Sequence, residues 1–220
     1  MISVAIDGPS GAGKSSISKA AAKKLGFIHV DTGALYRALA YTALENNINF
    51  NDEISLKNLL KTTNVKILHK ENAQFVFVNN ENVTGKIRTE QVSMAASNIS
   101  KIPMVRSFLL DLQREIANEN NVIMDGRDIA TVVLPNADVK IFLTASPEKR
   151  AERRYKELLE KDEKIVYNDI IKDIVQRDYQ DEHRAIAPLK AADDSVVVDT
   201  SELTFEQSVE KIIEVIEAKL

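Results

Sequence analysis

The sequence contains no cysteine. This absence excludes disulfide bridges, thiolate metal sites and a cysteine nucleophile, and it is consistent with a reducing compartment. No apolar run approaches the roughly 20 residues that span a bilayer. The first residues also lack the basic and long apolar regions of a secretion signal. We therefore expect a cytoplasmic protein that neither crosses a membrane nor is exported.

The sequence also has no excess of basic residues over acidic ones. Lys and Arg total 29 against 33 for Asp and Glu, so the formal net charge is -4. Because a general polyanion binder is usually basic, a nucleic acid polymer is a poor candidate for a partner. The chain has 220 residues, enough for one domain with a sizeable core and room for insertions.

Short apolar segments alternate with segments of helical periodicity. The apolar segments are "ISVAI" (2–6), "FIHV" (27–30), "NVIMD" (121–125), "VKIFL" (139–143) and "SVVVD" (195–199). Such near-continuous runs are expected of strands buried on both faces. Helices are predicted at 14–25, 32–47, 89–100, 103–119, 147–161, 167–182 and 205–219. Pro103 suits a first turn, and Thr204 with Gln207 forms a capping box. The alternation predicts a parallel α/β sheet with helices on both faces.

The segment from about 63 to 88 has a different character. "VKILH" (65–69), "QFVFV" (74–78) and "ENVTG" (81–85) are short β-prone stretches joined by polar turns. This pattern predicts a small antiparallel sheet inserted between the βα units.

"GPSGAGKS", residues 8–15, follows the first strand and opens the first helix. Two glycines five apart, followed by Lys and Ser, form the pattern of a phosphate-binding loop, or P-loop. The glycines let the backbone aim N–H groups at phosphate oxygens, and the helix dipole favours the anion. Lys14 would reach the β- and γ-phosphates, and Ser15 would coordinate Mg²⁺. The alternative is a glycine-rich turn without a ligand, which the agreement of motif and context disfavours.

"VIMD" ends a buried strand at Asp125, where a carboxylate beside the loop can hold Mg²⁺ through water. An ordinary strand-end aspartate is the alternative. Arg127 and Asp128 follow, and they would lie at the carboxyl edge of the sheet, where ligands of open α/β folds bind.

Arginine is concentrated late in the chain, since eight of the ten arginines follow residue 100. Its rigid bidentate fork suits phosphate. "PEKRAERR" brings Arg150, Arg153 and Arg154 onto adjoining faces of one helix. This cluster predicts a lid that closes over the nucleotide, neutralises charge and expels water. The alternative is a solvated helix whose arginines pair with glutamates of the same helix.

"DTGALYR" (31–37) directly follows the second strand. Arg37 can face a monophosphate, and Tyr36 can pack beside a base or sugar. The alternatives are a surface arginine and a core tyrosine. An acceptor site here would favour a small-molecule kinase over a switch. The Asn-Lys-x-Asp segment usual in GTPases does not follow "VKIFL".

Together these segments resemble the bacterial cytidylate kinase family. The resemblance rests on "IDGPSGAGKS", "DTGALYR", "IRTEQVSMAAS", "VR" at 105–106, "DGRDIATVVLPNADVKIFLTAS" and "RDYQDEHRAIAPLKAADDSVVVDTS", and it covers essentially the whole chain. It implies transfer of the γ-phosphoryl group of ATP to CMP or dCMP, giving CDP or dCDP and ADP, in pyrimidine nucleotide metabolism. The implied fold is a three-layer P-loop kinase with a five-stranded parallel sheet, a β-rich nucleotide-binding insert and a helical lid.

The resemblance also implies how the chain is organised. It implies one domain over 1–220, with a monophosphate-binding region at 32–105 and a lid at about 146–166. The substrates would be ATP and CMP or dCMP, and Mg²⁺ would be the cofactor. We expect a monomer that binds neither a nucleic acid polymer nor a membrane.

A role follows from the resemblance for each matched side chain. The ATP-binding residues would be Gly8, Pro9, Ser10, Gly11, Ala12, Gly13, Lys14, Ser15 and Ser16. The cytosine readers would be Ser97, Arg106 and Asp128, and the clamp on the acceptor phosphate would be Arg37, Arg127 and Arg184. Arg177 and Asp181 would contact the sugar, with Thr32 and Tyr36 as the near wall. Lys14, Arg127, Arg153 and Arg154 would act in catalysis, and Ser15 and Asp125 would hold Mg²⁺.

The chemistry of cytosine agrees with these roles. Its exocyclic amine suits an acceptor such as Asp128 or Ser97, and its ring nitrogen and carbonyl suit a donor such as Arg106. UMP would leave buried groups unpaired, at about 1–3 kcal/mol per group. Each assignment also has an ordinary alternative. Ser97 could be a plain helix serine, Arg106 a surface arginine, and Asp128 a helix cap. Arg177, Asp181 and Arg184 could form an ion network within one helix.

Two other functions stay open at the level of sequence. One is a P-loop kinase with another acceptor, such as UMP, AMP or shikimate. The other is a nucleotide-dependent switch or binding module, which would not need the acceptor-side arginines. A histidine base is not expected at His29, His69 or His183, because an acceptor phosphate oxygen is already anionic near neutral pH.

Overall fold

The computed structural model describes residues 1–70, 73–159 and 166–220. Its strands are β1 (Ser3–Asp7), β2 (Ile28–Asp31), β3 (Val65–Lys70), β4 (Ala73–Val78), β5 (Glu81–Asn82), β6 (Val122–Gly126), β7 (Val139–Thr144) and β8 (Val196–Asp199). Its α-helices are α1 (Lys14–Leu25), α2 (Thr32–Glu45), α3 (Glu53–Thr62), α4 (Glu90–Ile99), α5 (Pro103–Glu119), α6 (Pro147–Leu159), α7 (Tyr167–His183) and α8 (Phe205–Glu217).

Five of these strands form the central sheet, in the order β2-β6-β1-β7-β8 and all parallel. Helices α1 and α8 cover one face, where Ile6 and Ile123 are buried, and α5 covers the other, where Ala5 and Met124 are buried. Burial on both faces explains the continuous apolar runs of the strands. The predicted three-layer α/β fold with a five-stranded parallel sheet is confirmed.

The predicted antiparallel insert is also present, as a sheet in the order β3-β4-β5. It packs with α2 to α5 in a second core that buries Leu35 and Leu56. The insert meets the central sheet at β2. The Gln74 side chain accepts from the Asp31 N–H at 2.9 Å and donates to the Asp31 carbonyl at 3.2 Å.

Two elements differ from the sequence analysis, which predicts neither. Helix α3 begins after Asp52, whose carboxylate accepts the N–H groups of Ile54 and Ser55. A π-helical turn, Ile129–Val133, follows β6. The carboxylate of Asp7 accepts the first two N–H groups of this turn, each at 2.8 Å. These two bonds fix the chain at the carboxyl edge of the sheet, and π-helical turns often mark functional sites.

The predicted helix ends agree closely with the structure. Pro103 occupies the first turn of α5, and the capping box of Thr204 and Gln207 begins α8. The helix predicted at 147–161 is seen to Leu159, and positions 160–161 lie outside the described residues. So do 160–165 of the predicted lid and 71–72 of the predicted insert. No helix among the described residues is long and apolar enough to cross a membrane.

Candidate active site

The P-loop runs from the end of β1 to the start of α1. Gly13 adopts the left-handed conformation at φ 86° and directly precedes the helix. Gly8 has φ +153°, and a Cβ added there would lie 1.9 Å from the carbonyl oxygen of Leu143 in β7. Only glycine allows the loop to pass this close to the strand. The loop therefore lies close against the end of β7, at the carboxyl edge of the sheet.

Lys14 opens α1 and is buried, with 4% of its surface exposed. Its Nζ donates to the Pro9 carbonyl at 2.7 Å. Burial, and then the positive charge of Arg127, lowers the pKa of Lys14 from 10.5 to about 7. A phosphate group in the loop would add the negative charge that this ammonium needs and would raise its pKa again.

Asp125 at the end of β6 is held at both oxygens. The Ser15 hydroxyl donates to Oδ2 at 2.8 Å, and His29 Nε2 lies 2.6 Å from Oδ1. Burial would raise the pKa of Asp125, but the bonds from His29 and Ser15 and the charge of Lys14 hold it below its ordinary value. With the carboxylate ionised, a hydrogen bond across this 2.6 Å contact requires a proton on His29 Nε2.

The Ser15 and Asp125 pair fits a magnesium ion. Hydroxyl and carboxylate oxygens are the hard ligands that Mg²⁺ prefers, and this ion usually binds through one or two protein groups together with substrate phosphates and water. In the part of the chain that the structure describes, no three His, Asp or Glu side chains gather as a metal site.

A second group of charges lies beside the π-helical turn. Asp128 is only 5% exposed and accepts hydrogen bonds from Arg106 and from Arg184, the latter at 3.3 Å. The guanidinium of Arg106 also lies 5.8 Å from the ring centroid of Tyr36. Tyr36 and Arg106 line a cavity of about 200 Å³. The structure thus brings together four residues that the sequence analysis assigns to the acceptor.

Ser97 stands at the margin of this group, on α4. Its carbonyl accepts from the Ser100 hydroxyl at 3.0 Å, and the Ser100 carbonyl accepts from Arg106 at 3.2 Å. Thr32, assigned to the pocket wall, is buried, and its hydroxyl donates to the Asp125 carbonyl at 2.8 Å. The hydroxyl of Thr32 therefore holds α2 to β6 in this structure.

Each arginine assigned to the predicted phosphate clamp has a carboxylate partner in the structure. Arg127 donates to Asp181 at 2.8 Å, and Arg37 donates to Asp31 at 2.6 Å. The Arg37 Nε is buried and finds no hydrogen-bond partner among the described residues. An orphaned buried donor is costly, so an acceptor such as a phosphate oxygen would stabilise it.

Arg177 adds further positive charge to this space. Its side chain is exposed, and the charges of Arg127 and Asp181 act on its guanidinium. Partial desolvation, together with the positive charges of Arg127 and Arg154, lowers its pKa. Like charges gathered around one space favour an anion there.

The three arginines of α6 have different environments. Arg150 is 3% exposed and forms a bidentate pair with Asp178 of α7 at 2.9 and 2.5 Å. It also donates to the Ser10 carbonyl of the P-loop at 2.9 Å. Arg150 therefore joins the P-loop to α6 and α7, and its guanidinium is already paired.

Arg153 and Arg154 have different partners. Arg153 donates to the Thr200 carbonyl at 2.6 Å and lies 3.4 Å from the Ala12 carbonyl, so it sits beside the P-loop. Arg154 is exposed and pairs with Glu157 of the same helix at 3.3 Å, which is the alternative raised for this segment.

Several residues of the site were missed by sequence reasoning. Asp7, whose pKa burial raises to about 6, ends β1 just before the P-loop and caps the π-helical turn. Asp31 caps α2 and holds Arg37. Asp7 and Asp31 each end a strand, which is the same sequence feature that identified Asp125. Nothing local to the sequence pointed to His29 or Asp178, because their partners are distant in the chain.

A loop that can hold the phosphates of one substrate thus faces arginines that can hold the phosphate of another, and this arrangement defines a P-loop phosphotransferase. The chain belongs to the cytidylate kinase family, whose family model matches residues 4–218.

Individual relatives agree with that assignment. The chain is 47% identical to the cytidylate kinase of Carboxydothermus hydrogenoformans, over 98% of this chain and 97% of that one. It is 49% identical to the cytidylate kinase of Ligilactobacillus salivarius, over 99% and 97%. Among solved structures, shikimate kinase from Bacteroides thetaiotaomicron superposes with a TM-score of 0.50 over 98% of both chains. Its sequence identity is 15%, so this likeness shows the fold alone.

Proposed function

We propose that the chain acts as a (d)CMP kinase through the site described above. It transfers the γ-phosphoryl group of ATP to CMP or dCMP and gives CDP or dCDP and ADP. The observation that carries this assignment is the buried carboxylate of Asp128, bonded by Arg106 and Arg184 at the same sheet edge as the P-loop. The carboxylate oxygens could accept a hydrogen bond from an amine, and the adjacent guanidinium groups could donate to a ring nitrogen and a carbonyl.

On the ATP side, the P-loop residues Gly8–Ser16 would bind the phosphates through backbone N–H groups. Lys14 would turn from the Pro9 carbonyl to the β- and γ-phosphates. Mg²⁺, held by Ser15 and through water by Asp125, would neutralise charge that develops on those phosphates. Because little covalent chemistry falls to the protein, we attribute catalysis to positioning and charge neutralisation.

On the acceptor side, Arg37, Arg127 and Arg184 would clamp the phosphate. The pairs with Asp31 and Asp181 orient two of these guanidinium groups while each keeps other N–H donors for the ligand. Arg177 and Asp181 would contact the sugar, and Thr32 and Tyr36 would border the pocket.

At the base, Asp128 would accept the amine of cytosine, and Arg106 would donate to its ring nitrogen and carbonyl. A carboxylate offers about four lone-pair sites, so Asp128 can accept the amine and still keep both arginines. Ser97 would be a further acceptor. UMP would present a carbonyl to the carboxylate, and the resulting repulsion and lost hydrogen bond would select against it.

We further propose one domain over residues 1–220 with a monophosphate-binding region at 32–105 and a lid at about 146–166. Arg153 and Arg154 would approach the transferring phosphoryl group when the lid closes over bound nucleotides. The protein would act as a monomer in the cytoplasm, without a nucleic acid polymer or membrane as partner. None of its histidines would act as a general base.

An acceptor panel tests the activity. Purified protein with Mg·ATP would be offered CMP, dCMP, UMP, AMP, GMP and shikimate, and ADP release would be recorded. We expect CMP and dCMP to turn over fastest. Turnover with CMP that does not exceed the ATP-only blank would refute the proposal.

The substitution Asp128→Ala tests the base-reading role. Loss of one buried hydrogen-bonding partner costs about 1–3 kcal/mol, so kcat/KM for CMP should fall roughly 5- to 150-fold. The residual activity with UMP should fall much less. Asp111→Ala, at an exposed position of α5, is the matched control. Equal losses for CMP and UMP would show that Asp128 does not read the base.

A further inference from the structure

His29 lies on the strand beside the one that carries Asp125, and its side chain has no part in the phosphoryl transfer described above. In the parallel register, His29 is opposite Ile123, two residues before Asp125. Side chains two residues apart share a face of a strand, so the imidazole and the carboxylate point to the same side of the sheet. That side is covered by α1, which carries Ser15. The 2.6 Å contact between Nε2 and Oδ1 follows from this register.

We propose that His29 is a positioning residue that fixes the orientation of the Asp125 carboxylate for Mg·nucleotide binding. The bond to Oδ1 leaves Oδ2 directed at the Ser15 hydroxyl, which donates to it at 2.8 Å. The two oxygens of Asp125 thereby have separate tasks. Oδ1 is held by the protein, and Oδ2 faces the place where a metal ion would be bound.

Metal binding at Ser15 would change the contacts of Asp125. When the Ser15 hydroxyl turns its oxygen to a metal ion, it can no longer orient Asp125 as it does now. Asp125 is buried, and a buried carboxylate that loses a partner becomes unstable in its position. His29 is the partner that does not have to move, because its own donor points at the other oxygen.

Lys14 is a competing cationic partner for Asp125. Its charge contributes to lowering the pKa of Asp125, and the charge of Asp125 opposes the lowering of the pKa of Lys14. A carboxylate released from His29 could turn toward Lys14 and form an ion pair with it. That pair would withdraw both groups from the nucleotide, since Lys14 serves the phosphates and Asp125 serves the metal.

His29 is itself held in place from a second direction. Its carbonyl accepts a hydrogen bond from His69 Nε2, on β3 of the insert, at 2.9 Å. The backbone of His29 is thus fixed between β6 and the insert, and its ring projects from a rigid strand. Positioning residues work best on such elements, because a small displacement of the supporting group misplaces the group it supports.

The test compares His29→Leu with His29→Gln. Leucine fills the space without a donor, whereas the glutamine Nε2 is the same number of bonds from Cβ as the imidazole Nε2 and can donate to Asp125. The readout is the rise in unfolding temperature that Mg·ADP gives beyond ADP with EDTA. We expect His29→Leu to need about tenfold more Mg²⁺ for the half-maximal rise, the effect of one lost hydrogen bond to a charged group. His29→Gln should restore most of the wild-type response.

A double-substitution cycle shows whether His29 acts through Asp125. In an Asp125→Ala background, His29→Leu should cause no further change in the Mg²⁺ response. A wild-type response in His29→Leu would overturn the proposal. So would an equal loss in His29→Leu and His29→Gln, because that result would indicate a purely structural role.

A measurement on the wild-type protein covers the case in which His29→Leu does not fold. Histidine-labelled protein would be examined by ¹⁵N NMR without nucleotide or metal. We expect the proton of His29 on Nε2, and we expect its signal to change in Asp125→Ala. A proton on Nδ1 with a bare Nε2 would overturn the proposal.

The inference rests on the proposed function in so far as the metal accompanies a nucleotide, but its tests use no acceptor. A protein that shows the coupling and yet fails the acceptor panel would refute the proposed function and leave the role of His29 intact.

Discussion

Replacing Gly8 with alanine should be among the most damaging small changes in this protein. The new Cβ would lie 1.9 Å from the Leu143 carbonyl oxygen and 3.0 Å from its carbon. Both atoms are backbone of β7, which is paired with β1 on one side and β8 on the other, so the strand cannot give way. In addition, φ +153° is a conformation that alanine rarely adopts. Strain of about 1–3 kcal/mol and overpacking of about 1–3 kcal/mol together predict a loss of roughly 2–6 kcal/mol.

Urea unfolding measures this loss against two matched controls. Gly85→Ala meets no atom within 4 Å and should change the free energy of unfolding by less than about 0.5 kcal/mol. Gly26→Ala also meets nothing within 4 Å but has φ +72°, so it isolates the conformational cost, about 1 kcal/mol. Gly8→Ala should exceed both and should abolish the thermal stabilisation by ADP. A loss for Gly8→Ala no larger than that for Gly26→Ala would refute the steric argument.

Two further predictions concern buried charges. Because the pKa of Lys14 is lowered to about 7, the free protein should hold it largely neutral at pH 8.5, and binding of Mg·ATP should take up as much as about one proton. Calorimetry in buffers of different ionisation enthalpy measures this uptake, and equal uptake in Lys14→Met would contradict the assignment. Arg150→Met should lower the free energy of unfolding by about 3 kcal/mol, because it leaves Asp178 without its bidentate partner. Arg150→Met with Asp178→Leu should recover part of that loss in urea unfolding, and no recovery would show that the pair itself is not the source.

Sequence alone predicts the central sheet almost completely. Each of its five strands begins and ends within one residue of the predicted bounds, because burial on both faces leaves a continuous apolar run. Helix α3 was missed because it is only 10 residues long and Ile54, which is 75% exposed, interrupts the apolar face formed by Leu56 and Leu60. The π-helical turn was missed because its cause is Asp7, which is 122 positions away from Ile129.

The candidate site likewise has parts that the sequence predicts and parts that it does not. The P-loop carries its own signal, since the glycines, Lys14 and Ser15 are adjacent and the flanking strand and helix are visible in the pattern. Contacts between distant segments leave no such local signal in the sequence. His29 meets Asp125 across 96 positions, and Arg150 meets Asp178 on the next helix. Helical spacing alone placed Arg150 with Arg153 and Arg154, yet tertiary contacts give the three arginines different partners.

The docking of the insert on β2 has a consequence for the solubility of the protein. β2 is an outer strand of the central sheet, and such strands expose backbone groups that can recruit another chain. Here Gln74 occupies the N–H and carbonyl of Asp31, and His69 occupies the carbonyl of His29. Side chains of the insert thus stand where a sixth strand would pair. The insert therefore covers the backbone groups of β2 through which another chain could otherwise pair with the sheet edge.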